Sequence, residues 1–428
     1  MSEKYVPGTE LFCTWYIFLS VIARNEVTKQ SRGPDDICPS RWILNEAVKR
    51  DGWPQRPLSG EPWSMHSRLP GYNPTSLHFL NDIAGDLGLE QVLAKDERER
   101  FGLPAFKVVG ASWAVHQLIL SECERLSISL KPWSDIEEFA QQARAIGTRT
   151  LVTATDGNHG RGVARIARWL GWPAKIFMPS STVPSRIAAI RGEGAEVTVV
   201  DESYDDTVRV AQEASFPENA WLIQDTSWPG YEQIPGWIVE GYETILREID
   251  DALEEPNQAW PDLVIVPFGV GALLGTVVHH LRSQGGSKSR IVTVEPLGAE
   301  CALESLAARR SVTVAGPADT IMAGLNCGTI GHGILEPLLR GTDAAIAIDD
   351  AWAVRAMKTL HNLDLPVGES GASSLAGLYA LMQDPALAAL RRKLGVNSTS
   401  TALVFLTEGI TDPEGTARLL AADESPMR

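Results

Sequence analysis

Short runs of β-branched and aliphatic residues alternate along this chain with stretches whose apolar positions recur at helical spacing. From about Pro70 onward the alternation is sustained, the pattern of an α/β protein built on parallel strands. It predicts strands over 149–153, 174–178, 196–200, 221–224, 263–267, 290–295, 344–348 and 402–406. Each ends in, or is followed directly by, Pro, Asp or Thr, at the carboxyl edge where open parallel sheets bind ligands. Helices are predicted between them, for example over 160–170, 184–192 and 205–214. Trp228-Pro229-Gly230 and Ile234-Pro235-Gly236 punctuate the chain and place a boundary near 229–236. Four strands before it and four after it imply two wound α/β units with a cleft between: a large one from 61–112 and 236–428, and a small one from 113–235.

Residues 1–60 read differently, with turn-rich stretches such as Arg32-Gly33-Pro34-Asp35-Asp36 and no sustained βα alternation. They are expected to form an N-terminal extension outside the α/β pattern. The apolar run over 11–23 is shorter than the roughly 20 residues of a membrane span. Its flank carries Glu3 and Glu10 beside a single Lys4, a poor start for a secretion signal. The run is either a helix docked on the body or upstream sequence outside the fold, with Met65 as an alternative start.

Composition narrows the partners. The 428 residues suit two or three domains. Lys plus Arg number 38 against 54 Asp plus Glu, a net charge of −16, which disfavours nucleic acid or an acidic membrane surface and suits a cationic or zwitterionic small molecule. Cys13, Cys38, Cys123, Cys301 and Cys327 form no CxxC pair and no zinc-spaced cluster, so no metal site is expected. So few thiols suit a reducing compartment such as the cytoplasm. Cys301 and Cys327 are expected as two buried thiols, with a bridge or redox pair as the alternative.

Three segments carry candidate chemistry. In Phe101-Gly102-Leu103-Pro104-Ala105-Phe106-Lys107-Val108-Val109, one lysine stands among apolar and small residues. Desolvation disfavours an ammonium ion, so a lysine such as Lys107 tends to a lowered pKa and can act as an amine nucleophile; the other reading, which the segment alone favours, is a lysine snorkelling at a helix start. Thr155-Asp156-Gly157-Asn158-His159-Gly160 follows a predicted strand and opens a helix, where free N–H groups and a sharp backbone turn meet a ligand. Asn158 can hydrogen-bond a phenolic or carboxylate oxygen, and His159 is either an acid–base group or a structural histidine. Pro267-Phe268-Gly269-Val270-Gly271-Ala272-Leu273-Leu274-Gly275 is again strand, glycine loop and helix, a phosphate cradle. Its last glycine falls one residue too late for the dinucleotide fingerprint, and the P-loop Gly-Lys-Ser/Thr is absent.

The set resembles the pyridoxal-phosphate enzymes of the tryptophan-synthase-β fold type, and within them the diaminopropionate ammonia-lyases. The likeness runs from about Gly71 to Pro413, on 70-Pro-Gly-Tyr-Asn-Pro-Thr-75, Lys95-Asp96-Glu97, Arg100-Phe101-Gly102-Leu103 leading to Ala105-Phe106-Lys107, and 154–162. It continues through Gln224-Asp225-Thr226-Ser227-Trp228, Glu295-Pro296, Ala323-Gly324-Leu325, 368–372 and Thr407-Glu408-Gly409. The resemblance implies two open, mostly parallel α/β sheets with pyridoxal 5'-phosphate in the cleft between them, and a homodimer. It implies that Lys107 bonds the cofactor, that Asn158 binds its ring oxygen, and that Gly269, Val270, Gly271 and Ala272 hold its phosphate. Thr407 would face the pyridine nitrogen, and Asp156 and Asp225 would line the substrate pocket as proton-transfer groups. The implied reaction is elimination from 2,3-diaminopropionate to pyruvate and ammonia.

Two departures stand out: Ile410 replaces an acidic residue after Thr-Glu-Gly, and Pro104 and Ser76 replace commoner choices. Other readings are elimination or replacement on serine, threonine or a related amino acid, and an inactive binding relative. A second pocket carboxylate argues against the first, and the full set of Lys107, Asn158, glycine loop and Thr407 against the second.

Overall fold

A computed structural model describes residues 37–53, 58–201, 204–254, 258–283, 287–316 and 318–421. The 11–23 run and its alternatives lie outside the described residues. The strands are β1 (Arg41–Leu44), β2 (Leu77–Phe79), β3 (Gln91–Asp96), β4 (Thr150–Ala154), β5 (Ala174–Pro179), β6 (Glu196–Val200), β7 (Ala220–Leu222), β8 (Leu263–Pro267), β9 (Arg290–Pro296), β10 (Ala344–Ile348) and β11 (Thr401–Leu406). Four helices position the site: α1 (Lys107–Arg125), α2 (Asn158–Leu170), α3 (Gln233–Gly241) and α4 (Ala272–Ser283).

The strands form a seven-stranded sheet, β1-β10-β9-β8-β11-β3-β2, and a four-stranded sheet, β6-β5-β4-β7. The small sheet is parallel throughout. In the large sheet only the edges run antiparallel, β1 on β10 and β2 on β3. Strands covered by helices on both faces read as unbroken apolar runs; every residue of β8 and β10 is buried. Each sheet reverses its winding direction once. In the large sheet this happens between β8 and β11, in the small sheet between β4 and β7. Those two switch points, by the general rule for open parallel sheets, are where ligands bind.

All eight strands expected from the pattern are present, with ends shifted by at most two residues, and so are the three helices. The three strands not expected are β1, β2 and β3. β1 lies inside the segment read as an extension without α/β pattern, and its four half-buried residues pair in register with β10 from Arg41–Ala347 to Leu44–Ala344. That segment therefore contributes an edge strand to the large sheet. A chain starting at Met65, which is buried in its own short helix, would lack it.

Lys95, near the end of β3, enters a buried ionic cluster. Lys95 Nζ donates to Glu248 Oε2 at 2.7 Å, and Arg100 donates to both Glu248 oxygens at 2.7 and 2.8 Å and to Glu97 Oε2 at 3.0 Å. Thr75 and Tyr72 complete the shell on Glu248. Burial pushes the Glu248 carboxyl up, but the hydrogen bonds and charges of Arg100 and Lys95 outweigh it and hold it below its ordinary value. The cluster fastens the 97–106 segment, which carries Lys107, to the helix Glu243–Glu254. Glu248→Ala leaves two buried cations without their shared counter-ion. It is expected to cost about 3–5 kcal/mol, read as a large drop in thermal midpoint of the cofactor-free protein.

Candidate active site

Loops from both switch points converge, and their sequences explain their shapes. After β4, Thr155 turns its hydroxyl back to accept from Gly157 N at 3.0 Å and Gly160 N at 3.1 Å, which curls the chain into the start of α2. Gln224, fully buried after β7, ties the two small-sheet loops together. Its Oε1 accepts from Thr153 Oγ1 at 2.8 Å and Ala154 N at 3.0 Å, and its Nε2 donates to Tyr204 Oη at 3.2 Å. In the large sheet, Gly409 N donates to Pro104 O at 2.9 Å and Glu97 N to Leu406 O at 2.9 Å, so the segment before Lys107 is pinned to the end of β11.

Lys107 is the first residue of α1, and its side chain remains 23 % exposed. The preceding Phe106 packs against Tyr242, ring centroids 4.8 Å apart and planes tilted by 59°. The ammonium donates to Asp225 Oδ2 at 2.9 Å. This overturns the expectation of a lowered lysine pKa: burial does push it down, but the paired Asp225 carboxylate more than compensates and holds it above its ordinary value. Asp225 is pushed up by burial and pulled down further by His159 and Lys107, to about 2. Lys107 can therefore become a nucleophile only by giving up a proton, and the oxygen placed to take it is Asp225 Oδ2. Because the Asp225 value lies below that of an unfolded aspartate, near 4, the pair adds stability above about pH 4. That contribution is lost as pH falls towards 2. Asp225→Asn is expected to flatten the acid side of the cofactor-free protein's thermal-midpoint profile.

Asp156 is partly buried, within electrostatic reach of this pair. Burial raises its pKa against the lowering charges of Arg186 and Lys107, with Asp225 raising it further. The two carboxyls thus differ: Asp225 is firmly ionised, while Asp156 is nearer to holding a proton. Asn158 donates from Nδ2 to Glu408 Oε2, and Glu408 Oε1 accepts from Ser370 N at 3.2 Å. Thr407 is 7 % exposed, its hydroxyl 3.5 Å from Ser370 O.

The glycine loop connects β8 to α4. Gly271 has φ 93°, and a Cβ there would lie 2.4 Å from Ile334 Cγ2 and 2.7 Å from the Phe268 ring. Gly271 is therefore closed to a side chain, and the loop runs into the start of α4, where backbone N–H groups lack intrahelical partners and suit an anion. Gly271→Asp is expected to lower cofactor affinity by at least tenfold, checked by equilibrium dialysis with pyridoxal phosphate; unchanged occupancy would give the loop another task. Beside it a cavity of about 180 Å³ is lined by Asp225, Ser227, Val270, Ala272, Glu232 and Glu240. Cys301 and Cys327 are both free thiols. Burial raises both, Cys327 to about 12 with Asp156 and Asp225 adding to it.

The structure thus brings Lys107, Asp156, Asn158, Asp225, the Gly269–Ala272 backbone and Thr407 to one cleft, between the switch points of the two sheets. Glu408, Tyr204, Tyr242 and Arg186 also face it, although sequence reasoning gave them no role. Glu408 carried a signal: it is the carboxylate directly after Thr407, at the end of a buried strand, where nothing apolar calls for a charge. A lysine at a helix start and a glycine-rich strand-to-helix loop, carried by two wound α/β sheets, are the parts that define a pyridoxal-phosphate enzyme of fold type II, and the residues present fit that cofactor.

The pyridoxal-phosphate dependent enzyme family matches residues 68–396. Diaminopropionate ammonia-lyase of Escherichia coli (strain K12) is 38% identical over 355 residues, 81% of this chain and 87% of that protein. The crystal structure of the Escherichia coli diaminopropionate ammonia lyase with an aminoacrylate-PLP azomethine reaction intermediate superposes with TM-score 0.79 at 33% identity, over 90% of this chain and 98% of that one. Threonine deaminase isoform 2 of Solanum lycopersicum shares the fold at TM-score 0.67 and 20% identity, over 91% and 99%. The chain belongs to the diaminopropionate ammonia-lyase family of pyridoxal-phosphate dependent enzymes.

Proposed function

We propose that this chain converts 2,3-diaminopropionate to pyruvate and ammonia by α,β-elimination. The observation that carries the reading is the pair of carboxyls, Asp156 and Asp225, both within electrostatic reach of Lys107. Two carboxyls give the pocket a negative charge that suits a substrate carrying a second amino group, and serine or threonine, without that group, has no use for the second one.

Pyridoxal phosphate, when bound, supplies the electron sink for the bond broken at the substrate's Cα. Lys107 would bond it once Asp225 Oδ2 has taken the ammonium proton. The N–H groups of Gly269, Val270, Gly271 and Ala272 would hold its phosphate, with the α4 dipole adding to the attraction. Asn158, oriented by Glu408, would bind its ring oxygen. Thr407 would face the pyridine nitrogen; a hydroxyl there, unlike a carboxylate, does not hold that nitrogen charged, which favours prompt loss of a β-leaving group. Asp225 Oδ2 would remove the Cα proton of the L-isomer, and Asp156 that of the D-isomer. The β-nitrogen leaves as ammonia, and hydrolysis of the remaining enamine gives pyruvate and a second ammonia.

Measuring both products over a panel of β-substituted amino acids tests this. Diaminopropionate should give two ammonia per pyruvate at the highest kcat/KM in the panel. Faster turnover of serine or threonine, with one ammonia per pyruvate, would overturn it. None of the described helices is long and apolar enough to cross a membrane. We place the enzyme in the cytoplasm as a homodimer; sizing by light scattering checks the second point.

A further inference from the structure

Arg186 stands in the helix Pro184–Gly192, between β5 and β6, whose one buried side chain is Ile190. This helix is tied to the loop that follows β11 in the other sheet. Ser185 Oγ donates to Thr411 O at 3.1 Å, and Arg186 Nε donates to Thr411 Oγ1 at 3.2 Å. The arginine stem meanwhile lies across the turn after β4: a Cβ on Gly157 would sit 3.1 Å from Arg186 Cδ and 3.7 Å from its Cγ. Gly157 is flanked by Asp156 and Asn158. One side chain thus rests on the turn that carries Asp156 and is anchored to the loop beyond Thr407 and Glu408. Ser185 already fastens the helix to Thr411, so a strut alone gives no reason for a second bond from a charged residue.

Six groups lie within electrostatic reach of Asp156: Arg186, Lys107 on α1, Asp225 after β7, Glu408 after β11, Tyr204 and Cys327. Burial pushes the Asp156 carboxyl up, and of the two cations that pull it down Arg186 acts more strongly than Lys107. Burial also pushes up the Tyr204 hydroxyl and the Cys327 thiol, which keeps both uncharged. A guanidinium holds its charge at any working pH. The Lys107 amine must give its proton up to react, so Arg186 is the lasting cation of the set.

We propose that Arg186 positions Asp156 for the D-isomer, holding the turn after β4 against the loop after β11 and setting a permanent positive charge within reach of the carboxyl that takes the proton. The inference rests on the assignment of Asp156 above. The bond to Thr411 fixes where the charge stands, and the stem over Gly157 fixes the backbone from which Asp156 projects. Together they favour the carboxylate, the form that can accept a proton, over the acid. Arg186 is a positioning residue in this scheme, since it acts through Asp156. Glu408 feels the same guanidinium, but it works through Asn158 on the cofactor, so an effect by that route reaches both isomers alike. Asp225, raised by burial, owes its ionisation to His159 and Lys107.

The test is Arg186→Met, which keeps a stem over Gly157 and removes the charge, with Arg186→Gln as a second uncharged variant and Arg186→Lys as the conservative one. In Arg186→Met the acid limb of the D-isomer kcat should move up by about one pH unit, a loss of about tenfold along that limb, while the L-isomer limb stays in place. Arg186→Lys should restore most of the shift. A second readout needs neither cofactor nor turnover. In the cofactor-free protein with carbon-13 in its aspartate carboxyls, the Asp156 resonance, identified by its loss in Asp156→Asn, should titrate at higher pH in Arg186→Met than in wild type. A fall of both isomers with superimposable acid limbs, or an unmoved Asp156 titration, makes Arg186 a strut and overturns the proposal. If Asp156→Asn itself spares the D-isomer, the assignment of Asp156 fails and this inference with it. If Asp156→Asn loses the D-isomer and Arg186→Met leaves its acid limb in place, the assignment stands and the inference alone fails.

Discussion

Lys107→Ala is expected to lose the visible absorption of the bound cofactor and to lower turnover by on the order of 10⁴-fold or more, since nothing else in the cleft can bond it. Two lysines of the matched motifs compete for the role, and the structure separates them. Lys95 is fully buried, with its ammonium 2.7 Å from Glu248 and a second bond to Thr75 O, so it neither reaches the cleft nor can be spared from the ionic cluster. Lys107 opens to the cleft and has a proton acceptor 2.9 Å away. Borohydride reduction followed by peptide mapping should fix the cofactor to Lys107, and a label on any other lysine overturns the assignment. Without cofactor the Lys107→Ala protein should also lose thermal midpoint, because Asp225 is left buried without the ammonium that offsets its charge; the Asp225→Asn background should reduce that loss.

The parallel strands were legible because a strand buried on both faces must be apolar along its whole length, as β8 and β10 are. Their glycine-rich ends were legible because backbone has to approach a ligand there. β1, β2 and β3 escaped for the opposite reason. β1 and β2 are short edge strands, three or four residues long, and need no alternation to pair. β3 carries Lys95, whose burial is made possible by Glu248 more than 150 positions away, a partnership no local pattern announces. The same limit governs the site. Composition around Lys107 pointed to desolvation and a lowered pKa, which is the right first force. The outcome reversed because Asp225, 118 residues later, arrives 2.9 Å from the ammonium. Local sequence reports burial well and reports the counter-ion poorly. Glu408 and Tyr242 are of this kind, since each acquires its surroundings only when the two sheets meet.

Asp156→Asn and Asp225→Asn are expected to divide the two enantiomers of diaminopropionate between them. The planar adduct of substrate and cofactor presents its Cα–H on one face for an L-amino acid and on the other for a D-amino acid. One base reaches one face only, because proton transfer needs heavy atoms roughly 2.6–3.2 Å apart. Asp156 stands in the loop after β4 that also carries Asn158, while Asp225 follows β7, on the other side of the small sheet's switch point. On this proposal Asp225, which shares its oxygen with Lys107, would act on the lysine's side and Asp156 on the other. Removing a positioned base typically costs 10²- to 10⁴-fold. Asp156→Asn should therefore lose on the order of 10²-fold or more on the D-isomer and much less on the L-isomer. Asp225→Asn should do the reverse, with residual L-activity because Lys107 can act from the same side. The electrostatics set the sign of the pH response as well. Asp156, its pKa raised chiefly by burial, must lose its proton to act as a base, whereas Asp225 at about 2 is already ionised. D-isomer kcat should consequently fall at a higher pH than L-isomer kcat as the solution is acidified. Equal losses of both isomers in both variants, with superimposable acid limbs, would make the two carboxyls a shared binding site for the substrate's ammonium groups.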